Sequence, residues 1–408
     1  MVVAQLGARM HYGVPRILAR AGRLERLYTD ICAVKGWPRL LGAFPQGMRP
    51  ARLRRLLGRI PQGIPAGKIT AFTGFGWDYA RRLARAHHPD ARIAAYLWAG
   101  QEFCRRVIAG GLGSARSVYV FNSAGLELLQ EARRRGLRGV VEQTIAPRQV
   151  EWQIMAEEQA RFPAWEEAAE AGLLQDYCAR EAAEWAAADV VVCASEFVRD
   201  GIVACGGSAA KCVVVPYGIE PPAVAAVRPP RQPGPLRVLT VGAVGLRKGS
   251  PYVLAAARQL AGRAEFRMVG AVEVQPVAER QLREQVQLVG AVPRSQIQAQ
   301  YAWADVFLLP SLCEGSATVT YEALFQGLPM ICTRQTGSVI RDGVEGFIVP
   351  ARDAGAIVDR LELLAASEER LTTLAENARR ASASCTLARY GENLLAAFAA
   401  HGCWRATV

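Results

Sequence analysis

The side chains best placed to do chemistry fall in LLPSLCEGSATVTYEALFQGLPMICT, residues 308–333. An apolar run ends near Pro310, a loop of small residues carries Glu314, and a helical stretch runs from about Thr318 to Gln326 before Gly327 and Pro329 stop it. Thr318 is the expected N-cap. The amides of Ser316, Ala317, Thr318 and Val319 are then left unpaired at a helix N-terminus, where free N–H donors and the helix dipole favour an anion such as phosphate. Glu314 and Glu322 frame this loop; their oxygens only accept hydrogen bonds, which suits vicinal hydroxyls on a ribose or hexose and not phosphate itself. Taken alone, the pair also reads as a solvated loop acid and a first-turn carboxylate. A second element shifts that balance. In VLTVGAVGLRKGSPYVLAAARQL, residues 238–260, Arg247, Lys248 and Gly249 stand between a strand and a helix. Two cations at a strand's carboxyl end can meet the same pyrophosphate and stabilise the charge that builds as it departs. Together the two elements point to a diphosphate leaving group.

The elements that must hold these residues repeat along the chain: short Val/Ile/Leu/Phe-rich runs, then Gly or small polar residues, then 10 to 15 residues at helical period, the pattern of parallel βαβ units. Strands are expected at Val2 to Ala4, Ser117 to Phe121, Gly139 to Val141 and Val190 to Ala194 in the first half. In the second they are expected at Arg237 to Val241, Glu265 to Val269, Gln287 to Val289, Val306 to Pro310, Met330 to Thr333 and Gly346 to Val349. Helices are expected at Ala124 to Arg135, Arg180 to Ala188 and Leu387 to Ala400. Seven prolines between Pro216 and Pro235 mark a linker, since such a stretch supports neither helix nor central strand. The expected class is α/β, with two Rossmann-like, doubly wound domains facing a central cleft, where ligands bind outside the carboxyl ends of the strands. The boundaries read 1–218 for the first domain, 219–236 for the linker, 237–384 for the second domain and 385–408 for a terminal helix.

Composition narrows the function classes. The 408 residues, 51% apolar and 21% charged, suffice for two cores. No apolar run approaches the roughly 18 residues of a bilayer span, and the N-terminus lacks a basic region ahead of an apolar one, so a cytoplasmic protein is expected. The ten cysteines have no CxxC pair and no His at ligand spacing, so reduced packing residues and no metal are expected. No GxGxxG follows the first strand, which disfavours an NAD enzyme. Of the net charge of +12, residues 1–60 supply +10: eleven Arg and Lys35 against Glu25 and Asp30. Within them Arg49 to Ile60, RPARLRRLLGRI, sets Leu53, Leu56, Leu57 and Ile60 at helical spacing among Arg52, Arg54, Arg55 and Arg59. This reads as a helix docking its stripe on the core with a solvated cationic face, or as peripheral contact with anionic lipid at the inner membrane face. Zinc-finger, RNA-recognition and heptad-backed basic patterns are lacking, so no nucleic-acid partner is expected.

From about Asp189 to Ala396 the chain resembles the nucleotide-sugar-binding half of a retaining GT-B glycosyltransferase of family 4, the glycosyl transferases group 1. The resemblance rests on Gly242, Lys248-Gly249, Pro310-Ser311, Glu314-Gly315, Glu322-Ala323 and Gly327-Leu328-Pro329, in order and at strand ends. It implies a metal-independent hexosyltransferase with no cofactor and a nucleotide-diphosphate sugar as donor, bound mainly by the second domain. Lys248 and Arg247 would hold the diphosphate, Glu322 the ribose and Glu314 the donor sugar, making Glu314, Lys248 and Arg247 the catalytic set. Donor contacts would come from Gly242, Gly249, Gly315, Ser316, Ala317, Thr318, Val319 and Glu322. Across the cleft, Gly7 and Arg9 would face the phosphates, and the terminal helix would cross back to the first domain. Position alone assigns the base pocket to residues 290–292 with Val292, and to Ile297. The sequence departs from the family in having Ala243 where an Arg often pairs with the Lys, which leaves that charge to Arg247. It also lacks a His near the reacting sugar: GVVEQTIAP, residues 139–147, offers Glu142, Gln143 or Thr144 on the acceptor side, or else these residues serve the core or a turn. The implied acceptor is a glycan or a lipid-linked sugar. Both departures also fit a relative that binds a nucleotide or glycan without turnover.

Overall fold

The computed structural model describes residues 1–41, 50–167, 172–222, 231 and 234–404. Residues 42–49, 168–171, 223–230, 232–233 and 405–408 lie outside them, among them Arg49 of the basic segment and most of the proline-rich linker. Two sheets, both wholly parallel, organise the chain. The first is seven-stranded, in the order β3-β2-β1-β4-β5-β6-β7, from β1 (Val2–Gln5), β2 (Arg26–Thr29), β3 (Ile69–Ala71), β4 (Ser117–Phe121), β5 (Arg138–Gln143), β6 (Val190–Cys193) and β7 (Cys212–Val214). The second is six-stranded, in the order β10-β9-β8-β11-β12-β13, from β8 (Leu236–Val241), β9 (Ala264–Val269), β10 (Val286–Gly290), β11 (Val306–Leu309), β12 (Met330–Thr333) and β13 (Gly346–Val349). Strands buried on both faces need apolar side chains at nearly every position, which is why VVVC, VFLL and MICT read as continuous runs without alternation.

The strands expected from sequence are all present, several one or two residues longer. Sequence reasoning missed β2, β3 and β7, each three or four residues long. It also missed the 22-residue helix Pro89–Gly110, which lies under the first sheet with Phe103, Cys104 and Val107 buried. The basic segment forms a helix over Ala51–Leu57; Leu53, Leu56 and Leu57 are half-buried and Arg54 is exposed.

Each sheet has its own outer core, and one apolar cluster joins their inner faces. That shared cluster includes Val3, Tyr119 and Val140 of the first sheet, Leu239, Phe307 and Met330 of the second, and Tyr390, Leu394 and Phe398 of the terminal helix Leu387–Ala400. This helix lies on the first domain: Gly391 faces Ile17 of the helix Gly13–Arg20, and Phe398 meets Tyr119 edge to face at 5.6 Å. Where it starts, Ile219 donates to Cys385 O at 3.0 Å and Leu387 donates back to Ile219 O at 2.8 Å, so the two strands of chain between the domains run side by side. Gly218 permits the approach, since a Cβ there would sit 2.2 Å from Thr386 O.

Candidate active site

The site begins at the end of β8. Gly242 has φ +143°, and a Cβ on it would meet Lys248 Cε at 3.0 Å, so the missing side chain makes the channel through which Lys248 returns over the strand end. Residues 246–248 form a single 3₁₀ turn that Gly249 ends in the left-handed region, at φ +72°. The turn is fastened to the end of β11. Leu312 N–H donates to Arg247 O at 2.9 Å, and a Cβ on Gly249 would lie 2.2 Å from Pro310 O. Lys248 and Glu314 are 66 positions apart in sequence, yet β8 and β11 are neighbours, and the two side chains meet. Lys248 Nζ lies 2.7 Å and an Arg247 guanidinium nitrogen 2.6 Å from the same carboxylate oxygen of Glu314. Arg247 also donates to Cys313 O at 3.0 Å. Lys248 and Glu314 are 8% and 9% exposed, so these charges are largely out of water and hold one another in place.

The helix that follows is Thr318–Phe325, capped by Ala317 and not, as expected, by Thr318. Its side-chain cap is replaced by a neighbouring loop. Ala317 N–H donates to Thr336 O at 3.1 Å, which removes that amide from the expected donor set. The Ser316 hydroxyl is also spent internally, donating to Gly337 O at 2.9 Å and lying 2.6 Å from the Tyr321 hydroxyl. The amides of Ser316, Thr318 and Val319 have no acceptor among the described residues. One helical turn on, Glu322 accepts from the Tyr301 hydroxyl at 2.8 Å and lies 4.0 Å from Arg294. Burial and the adjacent Glu322 carboxylate push the Tyr301 phenol well above its ordinary range, keeping it a donor. Val292 and Ile297 sit half-buried on either side of Arg294, packed against the core.

From the first domain, the turn after β1 approaches. Gly7 N–H donates to Asp30 at 3.0 Å, and Gln5 donates back to Gly7 O at 3.0 Å. Arg9 donates to the Thr144 hydroxyl at 3.1 Å with its guanidinium 5.6 Å from the Phe121 ring centre. Met10, His11 and Tyr12 follow with φ of 46°, 49° and 60°, three successive non-glycine residues in the left-handed region. His11 contacts Arg294 across the cleft at 3.3 Å. Thr144 is thus at the cleft, held by Asn122 at 2.9 Å. Glu142 and Gln143 are not. The strand extends to Gln143, and its alternation turns both side chains into the protein. Glu142 accepts from the hydroxyls of Tyr119 and of Tyr217, the latter at 2.5 Å, and burial raises its pKa. Gln143 is spent on Glu181, Ile145 O and Trp185.

The two domains close on Gly315. Ser195 Oγ donates to Gly315 O at 2.6 Å, and a Cβ on Gly315 would lie 1.9 Å from Thr144 O. Asp200 pairs with Arg334 beside it. A further contact was not foreseen: Glu166, from the first half of the chain, accepts from Leu246 N–H at 2.5 Å, one residue before Arg247. No nearby motif signals it. Among the described residues no three His, Cys, Asp or Glu side chains gather as a metal site requires.

Comparison with known proteins places this geometry. Residues 235–367 match the family model described as glycosyl transferases group 1. The chain is 31% identical over 183 residues to the amylovoran biosynthesis glycosyltransferase AmsK of Erwinia amylovora, a match covering 41% of this chain and 45% of that protein. It is 29% identical over 148 residues to the putative colanic acid biosynthesis glycosyltransferase WcaL of Salmonella typhimurium, covering 32% and 36%. The matches thus span less than half the length of these curated relatives. In structure the whole chain superposes on Anabaena HepE in complex with UDP, with TM-score 0.63, 14% identity and coverage of 98% and 99%. It superposes as well on OtsA without ligand, with TM-score 0.64, 14% identity and coverage of 100% and 99%. At such identities these two share the fold, two Rossmann-like domains about a cleft.

Proposed function

We propose that this chain, whose residues 235–367 match the family model described as glycosyl transferases group 1, transfers a hexosyl group from a nucleotide-diphosphate sugar to a glycan or lipid-linked acceptor, with retention of anomeric configuration. The observation that carries the reading is the meeting of Lys248, Arg247 and Glu314 at adjoining strand ends, with free amides at Ser316, Thr318 and Val319 beside them. In this reading the diphosphate takes the place of Glu314 as partner of the two cations. The helix N-terminus adds donors, and Glu322, fixed by Tyr301, accepts from the ribose hydroxyls. The sugar's bond to the phosphate oxygen breaks, the bond to the acceptor oxygen forms on the same face, and the acceptor's proton passes to the departing phosphate. The protein's part is positioning and charge stabilisation of an oxocarbenium-like state. No protein nucleophile, metal or cofactor enters this scheme. Arg9 and Thr144, joined at the tip of the first domain, line the acceptor side. The fold-mate solved with UDP supports a nucleoside-diphosphate sugar as donor, and the relatives named for amylovoran and colanic acid biosynthesis support a role in glycan assembly. An enzyme that acts on the proposed acceptors would work from the cytoplasmic side of the membrane.

The test is donor hydrolysis and transfer across a panel of nucleotide sugars, with Lys248→Ala and Glu322→Ala. Both should lose donor binding, Lys248→Ala by about tenfold to a hundredfold, the worth of one hydrogen bond to a charged group. Unchanged activity in both variants would remove the site from this role.

A further inference from the structure

Among the described residues seven large apolar side chains are markedly exposed, and four of them gather at one corner of the first domain: Leu40 (75%), Trp77 (53%), Ile60 (41%) and Trp37 (39%). The local structure puts them there. Gly36 takes a left-handed conformation, φ +63°, against Thr73, which opens the helix Thr73–Arg85 and brings Trp37 onto Trp77. The two indoles meet edge to face at 5.7 Å. Ala33 N–H donates to Arg59 O at 2.9 Å, fixing the chain at Ile60 beside the segment that leads to Trp37. The helix Pro38–Leu41, which carries Leu40, touches the helix Ala51–Leu57.

The sequence that builds this corner carries charge of one sign: residues 31–77 have eight Lys or Arg and no Asp or Glu. Of these, Lys68 is turned to Leu24 O at 2.6 Å, and Arg49 and the side chains of Arg52 and Arg55 lie outside the described part of the structure. Arg39 and Arg54 are exposed, and Arg59 is engaged by the buried Asp30 at 3.1 Å. Asp78, the nearest acid beyond the stretch, is paired with Arg82.

We propose that this corner, Trp37, Leu40, Ile60 and Trp77 within its cationic rim, is a docking surface for an anionic bilayer. Tryptophan and aliphatic side chains seated at headgroup depth, with cations over anionic lipid, are what a membrane interface accepts. A soluble glycan is the poorer fit, because the edge-to-face indoles offer no shared flat platform for a sugar ring and Leu40 and Ile60 offer it no hydrogen bond. Leu53, Leu56 and Leu57 of the helix Ala51–Leu57 are half-buried whereas the four corner side chains are exposed, so the proposed contact is made by the corner. Asp30 connects the corner to the cleft. One of its oxygens takes Arg59 and the other the Gly7 amide, so a membrane-held acceptor would be presented beside the turn after β1. This purpose rests on the proposed transfer, whereas the docking is read without any turnover.

The experiment is co-sedimentation of the full chain with vesicles of phosphatidylcholine alone and of phosphatidylcholine with phosphatidylglycerol at roughly 2:1, at low and high salt. Tryptophan quenching by brominated lipid is followed in parallel. Anionic vesicles should retain the protein, salt should release it, and brominated lipid should quench its fluorescence. Trp77→Ala and Leu40→Glu should each lower the partition coefficient by about tenfold. Leu40 is so exposed that its substitution leaves folding and nucleotide binding intact, and unchanged melting confirms it. Equal recovery with neutral and anionic vesicles, or variants that bind like the parent, would overturn the proposal. So would quenching of the exposed tryptophans by a soluble oligosaccharide with no vesicle binding. Loss of docking with nucleotide-sugar turnover intact condemns the surface alone, and docking without turnover condemns only the transfer.

Discussion

The closed cleft places its sharpest demand on Gly315, and replacing it by alanine tests whether that closure is the productive one. A Cβ there would lie 1.9 Å from Thr144 O. The closest comfortable approach of a carbon to a carbonyl oxygen is about 3.3 Å, so the two domains must part locally by about 1.4 Å. Rotation of the peptide gives no escape. Gly315 O is held by Ser195 Oγ at 2.6 Å, and the backbone of Gly337 leaves only enough room that a Cβ on it would sit 2.2 Å from that oxygen. A misplacement of about 1 Å between reacting partners costs on the order of a hundredfold in rate. Gly315→Ala should therefore bind a nucleoside diphosphate within about threefold of the parent, by calorimetry, while kcat for transfer falls about a hundredfold. The partners proposed for the nucleotide, Lys248, Arg247 and Glu322, all belong to the second domain and do not depend on the approach of Thr144. Retention of kcat within about threefold, or a loss confined to nucleotide affinity, would refute the assignment of this contact to the catalytic closure.

Three further outcomes follow from the same geometry. Glu314→Gln removes the negative charge that lies 2.6 and 2.7 Å from Arg247 and Lys248. Nucleoside diphosphate should then bind more tightly while transfer falls at least about a hundredfold, and weaker binding would show that Glu314 does not compete with the phosphates. Tyr301→Phe deletes the donor that orients Glu322, so the donor KM should rise roughly fivefold, about 1 kcal/mol, with kcat nearly unchanged; an unaltered KM would argue against Glu322 as the ribose acceptor. Glu184, without exposed surface and accepting from the Ser123 and Gly125 amides, is pushed up to about 8 by burial, against an unfolded value of 4.5. Between these values the folded state holds a proton that the unfolded state releases, so stability is full below pH 4.5 and declines as pH rises toward 8. This one group contributes a slope of about 1.4 kcal/mol per pH unit, and Glu184→Gln should flatten the melting profile accordingly; parallel profiles would exclude it.

How much of this was legible in the sequence depends on whether a feature is local. The helix N-terminus after Glu314 and the cationic turn after β8 were visible, because each is a short run of residues at a strand end. Their meeting was not. It depends on β11 inserting beside β8, and nothing in the spacing of Lys248 and Glu314 encodes that strand order. The cap of the helix Thr318–Phe325 was misread for a related reason: Thr336 O and the Gly337 loop, distant in sequence, do what a side chain at Thr318 was expected to do. The family resemblance offered Glu142 for the cleft, at the strand end where relatives carry a His, with a core role as the alternative, and the structure takes the core role. The strand in fact continues through a charged residue that two tyrosine hydroxyls make tolerable. Only Tyr119, a polar-tipped side chain in an otherwise apolar strand, and Tyr217, just beyond β7, hinted at a buried acceptor.

The domain boundary was the least legible feature, because part of the first half of the chain serves the second domain. After Pro147 the helix Arg148–Arg161 leaves the first sheet, and Ile154, Met155, Phe162 and Trp165 pack into the second domain's outer core with Leu246 and Tyr252. Polar groups fix the same surface. Glu158 has no exposed area; it accepts from Tyr252 at 2.7 Å and Arg352 at 2.6 Å, and Gln275 N–H donates to Trp165 O at 2.7 Å. Removing one partner of a buried ion pair costs several kcal/mol, so this segment does not separate from the second domain as the cleft opens. A hinge confined to the described chain at 215–222 and 383–387 would have to break these bonds. Rotation must therefore also be taken up at Pro147, where the segment leaves the first domain. The Glu166 bond to Leu246 N–H lies at the far end of this strap, one residue from Arg247, so the turn that carries both cations keeps its shape in the open and closed cleft alike. Under the proposed function the diphosphate would meet this turn already shaped in the second domain, and closure would bring Thr144 and Arg9 toward it.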